Sequence, residues 1–183
     1  MSVGVLMVSR GASRGGSLKG MYSVAEPNIL LTRIDNRLIH GQVVTQWNAV
    51  VGANLILVAN DGVAKSDVRQ RLMDMAAPEG VAMRYFSLQK TIDVIHQASS
   101  DQLIFLVVDN PTDVLALVRA GAPIKKVNVG NMHMAEGRRQ VTASVAVDDT
   151  DVAAFKELRD LGVELEIQRV PSEPIEDSSV LFE

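Results

Sequence analysis

"NILLTRIDNRLIHGQVVTQWNAVVG", residues 28–52, holds a strand, a loop and a helix in one short stretch. The apolar run from Asn28 to Ile34 has the length and content of a buried strand. After it, Val43, Val44, Trp47, Val50 and Val51 recur at i, i+1, i+4, i+7 and i+8, which places them on one helix face. Gly52 then ends the helix. Between strand and helix stand Arg33, Asp35, Arg37 and His40, a cluster that neither element needs for its own formation.

The alternation continues along the chain. "NLILVAN" (54–60) is a second strand closed by an Asn-Asp-Gly turn, and Val68, Leu72, Met75 and Ala76 mark a second helix that stops before Pro78. "VAMRYF" (81–86) and "QLIFLVV" (102–108) are the third and fourth strands, with a helix through Leu88, Ile92 and Ile95 between them. Asn110 followed by Pro111 starts a helix through Val114, Leu115 and Val118 that ends near Gly121. "IKKVNVG" (124–130), "VTASVAV" (141–147) and "VELEIQRV" (163–170) are strands five to seven, the last two separated by a helix through Val152, Phe155 and Leu158.

These patterns predict an α/β fold: one domain over residues 28–183, with a mostly parallel sheet of about seven strands and helices on both faces. The segment 130–140, "GNMHMAEGRRQ", is too short and too glycine-marked for a crossover helix. The sixth strand is therefore expected to leave the simple winding, either antiparallel or at an edge. The tail 171–183 reads as an irregular arm.

Composition narrows the function. A net charge of −4 lacks the basic excess of a nucleic-acid binder. With no cysteine there is neither a disulfide framework nor a thiolate metal site. No apolar run approaches the ~20 residues that span a bilayer. Residues 1–27 differ from the rest: "SRGASRGGSLKG" (9–20) reads as a disordered extension, and Met21 is a candidate start. Gly11 to Gly16 has phosphate-loop spacing, but Ser17 stands where the lysine is needed and no strand precedes it.

The loop at 33–42 suits phosphoryl chemistry on His40. Ligands in open α/β sheets bind beyond the carboxyl ends of the strands. A helix starting at or just after His40 would aim the amides of Gly41 and Gln42 at an anion there. Gly41 also allows close backbone approach, and Arg33 and Arg37 offer forked, permanently charged donors that match phosphate oxygens. Asp35 either holds an arginine or accepts from one imidazole nitrogen, leaving the other to attack. Neutral imidazole is the nucleophile, and an ordinary pKa of ~6.5 makes that form common near neutrality. His96 lies on no cluster, while His133, in the loop after strand five, is placed to reach the same sheet edge. Asp61 and Asp109 each follow a strand, where such residues usually cap turns. No histidine pair has metal-ligand spacing, so neither a metal nor another cofactor is expected.

"RIDNRLIHGQV" with the following "QW", "LVAND" (57–61), "VNVGNMH" (127–133) and "RVPSEP" (169–174) resembles the IIB component of the mannose/sorbose family of the bacterial sugar phosphotransferase system. Its wording is most similar to the N-acetylgalactosamine/galactosamine branch. The resemblance covers nearly the whole chain from Pro27. It implies a cytoplasmic protein-Nπ-phosphohistidine–sugar phosphotransferase that meets the membrane through its transporter. His40 would take a phosphoryl group from phosphorylated IIA and give it to a sugar arriving through the membrane components IIC and IID. Arg37 would stabilise the phosphate, with Asp35 and Arg33 matching the "RID" portion. The family often has an acidic residue where this chain has Asn36, which leaves one negative charge fewer near the phosphate. A homo-oligomer is compatible with this reading.

Two rival functions make different predictions. A receiver-like domain would carry a base-labile phosphoryl group on an aspartate and need Mg²⁺. A non-catalytic module would bind a sugar phosphate or nucleotide reversibly, with no covalent transfer.

Overall fold

A computed structural model describes residues 26–183. The disordered extension expected over 1–27 lies outside these residues except for Glu26 and Pro27.

In chain order the strands are β1 (Asn28–Asp35), β2 (Leu55–Ala59), β3 (Ala82–Phe86), β4 (Leu103–Val108), β5 (Lys126–Asn131), β6 (Arg139–Gln140), β7 (Ala146–Val147) and β8 (Glu164–Ile167). The helices are α1 (Gly41–Val51), α2 (Asp61–Ala64), α3 (Asp67–Asp74), α4 (Leu88–Val94), α5 (Pro111–Arg119) and α6 (Asp149–Asp160). Six strands form one sheet in the order β3-β2-β4-β1-β5-β8, and every pairing in it is parallel.

Side-chain alternation along the central strands builds two cores, one on each face of the sheet. Ile104, Leu106 and Val108 of β4 pack with Ile34, Val114, Leu117, Phe155 and Leu158 under α5 and α6. Phe105 and Val107 point the other way and pack with Ile56, Val58, Val44, Trp47 and Met73 under α1 and α3. Asn110 caps α5 as expected, its Oδ1 accepting from the Asp113 amide at 2.8 Å, with Pro111 in the first turn. β1 lies between β4 and β5, so the loop leaving its C-terminal end is flanked by residues from distant parts of the chain.

Two expectations need correction. Among the described residues the parallel sheet is as expected but has six strands rather than about seven, with β6 and β7 paired apart from it. The stretch 141–147 is not one strand, because only Ala146 and Val147 pair, antiparallel, with Arg139 and Gln140. The Val141 and Thr142 amides both donate to the Val145 carbonyl, which closes a tight turn and uses the groups a longer strand would need. Ser144 to Ala146 instead tie back to Met132, beyond the end of β5.

The second correction concerns α3. The apolar spacing places Val68, Leu72 and Met75 on its buried face, but they are 70, 62 and 85% exposed, whereas Met73 is 7% exposed. Adjacent helical residues point about 100° apart, so the sheet has selected a different face of the helix from the one with most apolar residues. Leu72→Gln should therefore change stability in urea by less than ~0.5 kcal/mol. Met73→Ala should cost ~2–5 kcal/mol. Equal losses would mean that the Leu72 side chain is covered in solution.

Candidate functional site

The site is built where β1 hands over to α1. Asp35, the last residue of β1, is fully buried. Its Oδ1 accepts from the Arg37 amide at 3.1 Å, and its Oδ2 accepts from an Arg33 terminal nitrogen at 2.9 Å. The Leu38 amide donates to the Asp35 carbonyl at 2.7 Å, closing a turn. Leu38 has φ 58°, the only non-glycine in the left-handed region among the described residues. That conformation costs roughly 1–2 kcal/mol. It is held by the turn and by burial of the Leu38 side chain, and such strain tends to collect at functional sites. Nothing in the sequence singles out Leu38, because a leucine carries no signal of positive φ.

The Leu38 carbonyl lies 3.2 Å from His40 Nδ1, and Asp35 Oδ1 lies 3.9 Å from the same nitrogen. When Nδ1 carries the proton it donates to Leu38 and the lone pair is on Nε2; in the other tautomer the lone pair is on Nδ1, the nitrogen that an Nπ-phosphohistidine uses. Among the described residues Nε2 is enclosed and has no hydrogen-bond partner. His40 is also the N-cap residue of α1, with φ −154° and ψ 140°, and its side chain makes no capping bond. The first turn of α1 has no acidic residue, and Gly41 and Gln42 are exposed. His40 thus stands at the positive end of the α1 dipole, beside the first-turn amides, a setting that favours an anion. Gly41 has φ 47°, which a Cβ would strain.

Burial lowers the His40 pKa from its ordinary value; Arg37 and Arg33 push it the same way, and Asp35 and the Leu38 carbonyl oppose them. The ring therefore stays neutral to lower pH than a free histidine. Since the neutral ring is the nucleophile, the acidic limb of a rate profile for phosphoryl acceptance should have its midpoint below ~6.5. A midpoint at or above that value would contradict this environment.

The two arginines are placed differently. Arg37 is exposed and rests Nε 3.5 Å from Asp35, and its guanidinium makes no hydrogen bond among the described residues. Arg33 is 2% exposed and points inward, against the expectation of a phosphate donor. One of its terminal nitrogens donates to Asn128 Oδ1 and to the Gln168 carbonyl; the other donates to Asp35 and to the Arg169 carbonyl at 3.0 Å. Its guanidinium carbon also sits 5.4 Å from the Trp47 ring centre.

His133 is exposed, and its Nδ1 lies 3.3 Å from Asn131 Nδ2. Asn131 Nδ2 donates to Asn36 Oδ1 at 2.6 Å, and the Asn36 amide donates to the Asn131 carbonyl at 3.0 Å. His133 therefore reaches the His40 loop through the buried Asn131, a link to Asn36 that the sequence does not show. His96 is exposed in the turn after α4. Asp61 accepts from the Leu88 amide at 2.9 Å, and Asp109 accepts from Asn60 and Asn110 side chains at 2.8 and 2.7 Å. Burial and the Asp109 carboxyl push the neighbouring Asp113 up to about 7. Among the described residues no group of three or more His, Cys, Asp or Glu could hold a metal ion. A hollow of about 330 Å³ lined by residues 26–32 and 123–126 opens at the start of β1, the end of the sheet away from His40.

Residues 29–183 match the family model for the phosphotransferase system (PTS) sorbose subfamily IIB component. The chain belongs to that family. It is 54% identical over 151 residues to the N-acetylgalactosamine-specific phosphotransferase enzyme IIB component 2 of Escherichia coli (strain K12), spanning 82% of this chain and 96% of that one. The sorbose-specific EIIB component of Klebsiella pneumoniae is 43% identical over 147 residues, spanning 80% of this chain and 90% of that one. Among solved structures, the N-acetylgalactosamine-specific IIB component 1 from E. coli superposes with a TM-score of 0.79 at 46% identity, covering 82% of this chain and 99% of that one. PTS IIB components of this family are sugar phosphotransferases that work with IIA and with the membrane components IIC and IID.

Proposed function

We propose that His40 is the phosphoryl carrier of this IIB component. The observation behind this assignment is the position of His40: in the loop beyond the carboxyl end of β1, on the N-cap of α1, with no bond from its side chain to the helix. The imidazole lone pair attacks the phosphorus of a phosphohistidine on IIA. The donor P–N bond breaks as the new one forms, and His40 keeps its other N–H. Arg37 and the α1 amides offset the charge on the equatorial oxygens, so stabilisation of the transferring group is mostly electrostatic. Asp35 holds the loop and steadies Arg37. In the second transfer a sugar hydroxyl oxygen takes the phosphoryl group at IIC/IID, its proton leaves, and His40 returns to the neutral ring.

The part-exposed His40, between the exposed Arg37 and the exposed Gly41 and Gln42, suits a carrier that must dock two proteins in turn, through small and transient encounters. Among the described residues no helix is long and apolar enough to cross a membrane. A cytoplasmic location, with the membrane reached through IIC and IID, fits that observation. The sugar we infer is N-acetylgalactosamine, because relatives named for it are 54 and 46% identical, against 43% for a sorbose-specific and 41% for a fructose-specific relative. The test is to charge the chain through phosphoenolpyruvate, the general phosphotransferase proteins and IIA, and then add membranes bearing IIC and IID. Discharge by N-acetylgalactosamine in preference to sorbose, mannose and fructose supports the inference. Discharge by another of these sugars alone would replace it.

A further inference from the structure

Gly130 sits in the interior of β5, beside the buried side chain of Arg33. A Cβ at Gly130 would clash with the Arg33 guanidinium, at Cζ and at both terminal nitrogens. The register also breaks here: Ile34 pairs with Val129, but Asp35 pairs with Asn131, so Gly130 is the residue passed over. A glycine inside a strand commonly marks a bulge or a close approach, and here it marks both. Its backbone is not in the left-handed region, so glycine is needed for room and not for φ.

The space at Gly130 admits a group that reaches across the fold. Arg33 bonds to Asn128 on β5, to the carbonyls of Gln168 and Arg169 beyond β8, and to Asp35 on its own strand. Trp47 of α1 lies against the same guanidinium and donates from Nε1 to the Arg169 carbonyl at 3.3 Å. Arg33 thus links β1, β5, the segment after β8 and α1 at a single point. Both terminal nitrogens already have two acceptors each, which leaves little for a phosphate outside.

We propose that Gly130 and Arg33 are a positioning pair: the gap at Gly130 seats the Arg33 guanidinium, which fixes the Asp35 carboxylate and through it the Arg37–His40 loop. Asp35 is the intermediate, because its Oδ2 takes the Arg33 bond while its Oδ1 faces the Arg37 amide, Arg37 Nε and His40 Nδ1. This role rests on the carrier reading of His40 only for its rate measurement.

The test compares wild type, Gly130→Ala, Arg33→Lys and the double variant. The measurements are the rate of phosphoryl acceptance from charged IIA, the His40 imidazole titration followed by NMR, and Trp47 emission. Each single variant should accept phosphoryl at least ~10-fold more slowly, within the ~100-fold that an ångström of misplacement can cost. Each should also shift the His40 titration and the Trp47 spectrum, since lysine has no fork and the methyl group added by Gly130→Ala would displace the guanidinium. The double variant should be no worse than the worse single one, because both changes act through one group. Wild-type rate and His40 titration in a folded Gly130→Ala variant would overturn the proposal, as would losses that multiply. If Gly130→Ala does not fold, Arg33→Lys adds no bulk and decides alone: an unchanged rate and titration would overturn it. If wild type takes no phosphoryl group from charged IIA, the His40 reading fails separately, and the NMR and fluorescence results still decide the positioning role.

Discussion

His40→Ala should fold and accept no phosphoryl group. The side chain is part-exposed, makes no capping bond, and has one ring nitrogen without a partner, so little of the fold rests on it. Its only hydrogen bond among the described residues goes to a carbonyl two residues back. Losing it should cost no more than ~1 kcal/mol. The chemistry has no comparable substitute: the Asp35 carboxylate is buried and engaged by Arg33 and by the Arg37 amide. Intact-mass spectrometry after incubation with phosphoenolpyruvate, the general proteins and IIA should show one added phosphoryl group on wild type and none on the variant. Acid should remove the group from wild type and mild base should leave it, since a phosphohistidine is acid-labile. A base-labile adduct persisting in His40→Ala would move the acceptor to an aspartate, with Asp61 and Asp109 first in line. If neither protein is modified while IIA is demonstrably charged, reversible binding without transfer becomes the better reading.

Asp35→Ala should lose ~3–5 kcal/mol of stability, the cost of leaving one member of a buried ion pair alone. Asp35 is fully buried and Arg33 is 2% exposed, so water cannot replace the missing carboxylate. Removing it strands the Arg33 charge in a place where only neutral acceptors remain, namely Asn128 and the carbonyls of Gln168 and Arg169. It also frees the Arg37 amide from its side-chain acceptor, while the backbone bond from Leu38 to the carbonyl of residue 35 stays. Urea unfolding measures the loss. Adding Arg33→Met to Asp35→Ala should restore part of it, because the unpaired charge goes too. A loss under ~1 kcal/mol for Asp35→Ala alone would show that the pair is hydrated in solution.

Much of this was legible in the chain. The strand and helix on either side of His40 follow from two apolar periods, and the charged cluster between them has no use in either element. That contrast marked the loop as functional. Asn110-Pro111 fixed the start of α5, and the alternation of elements fixed a parallel sheet. These are local properties, set by side-chain spacing within one segment.

What stayed hidden depends on segments far apart in the chain. Period-two alternation shows that Arg33 and Asp35 share a face of β1. It does not show that Trp47 covers that face, or that carbonyls 135 and 136 positions further on close over it. Arg33 therefore looked like a phosphate donor, and Gly130 like an ordinary strand glycine. Asn131 acquires its link to Asn36 only because β5 pairs with β1 at one particular register. The same holds for α3, where the stripe with most apolar residues lost to the face the sheet could cover. By itself the sequence determined the elements, the parallel architecture and the residue proposed to carry the phosphoryl group, because each is written in local periodicity and chemical type. Only the tertiary structure decided which arginine faces outward and what holds the carboxylate beside the histidine, because burial and hydrogen bonding at one point are set by strands and loops that meet only when the chain is folded.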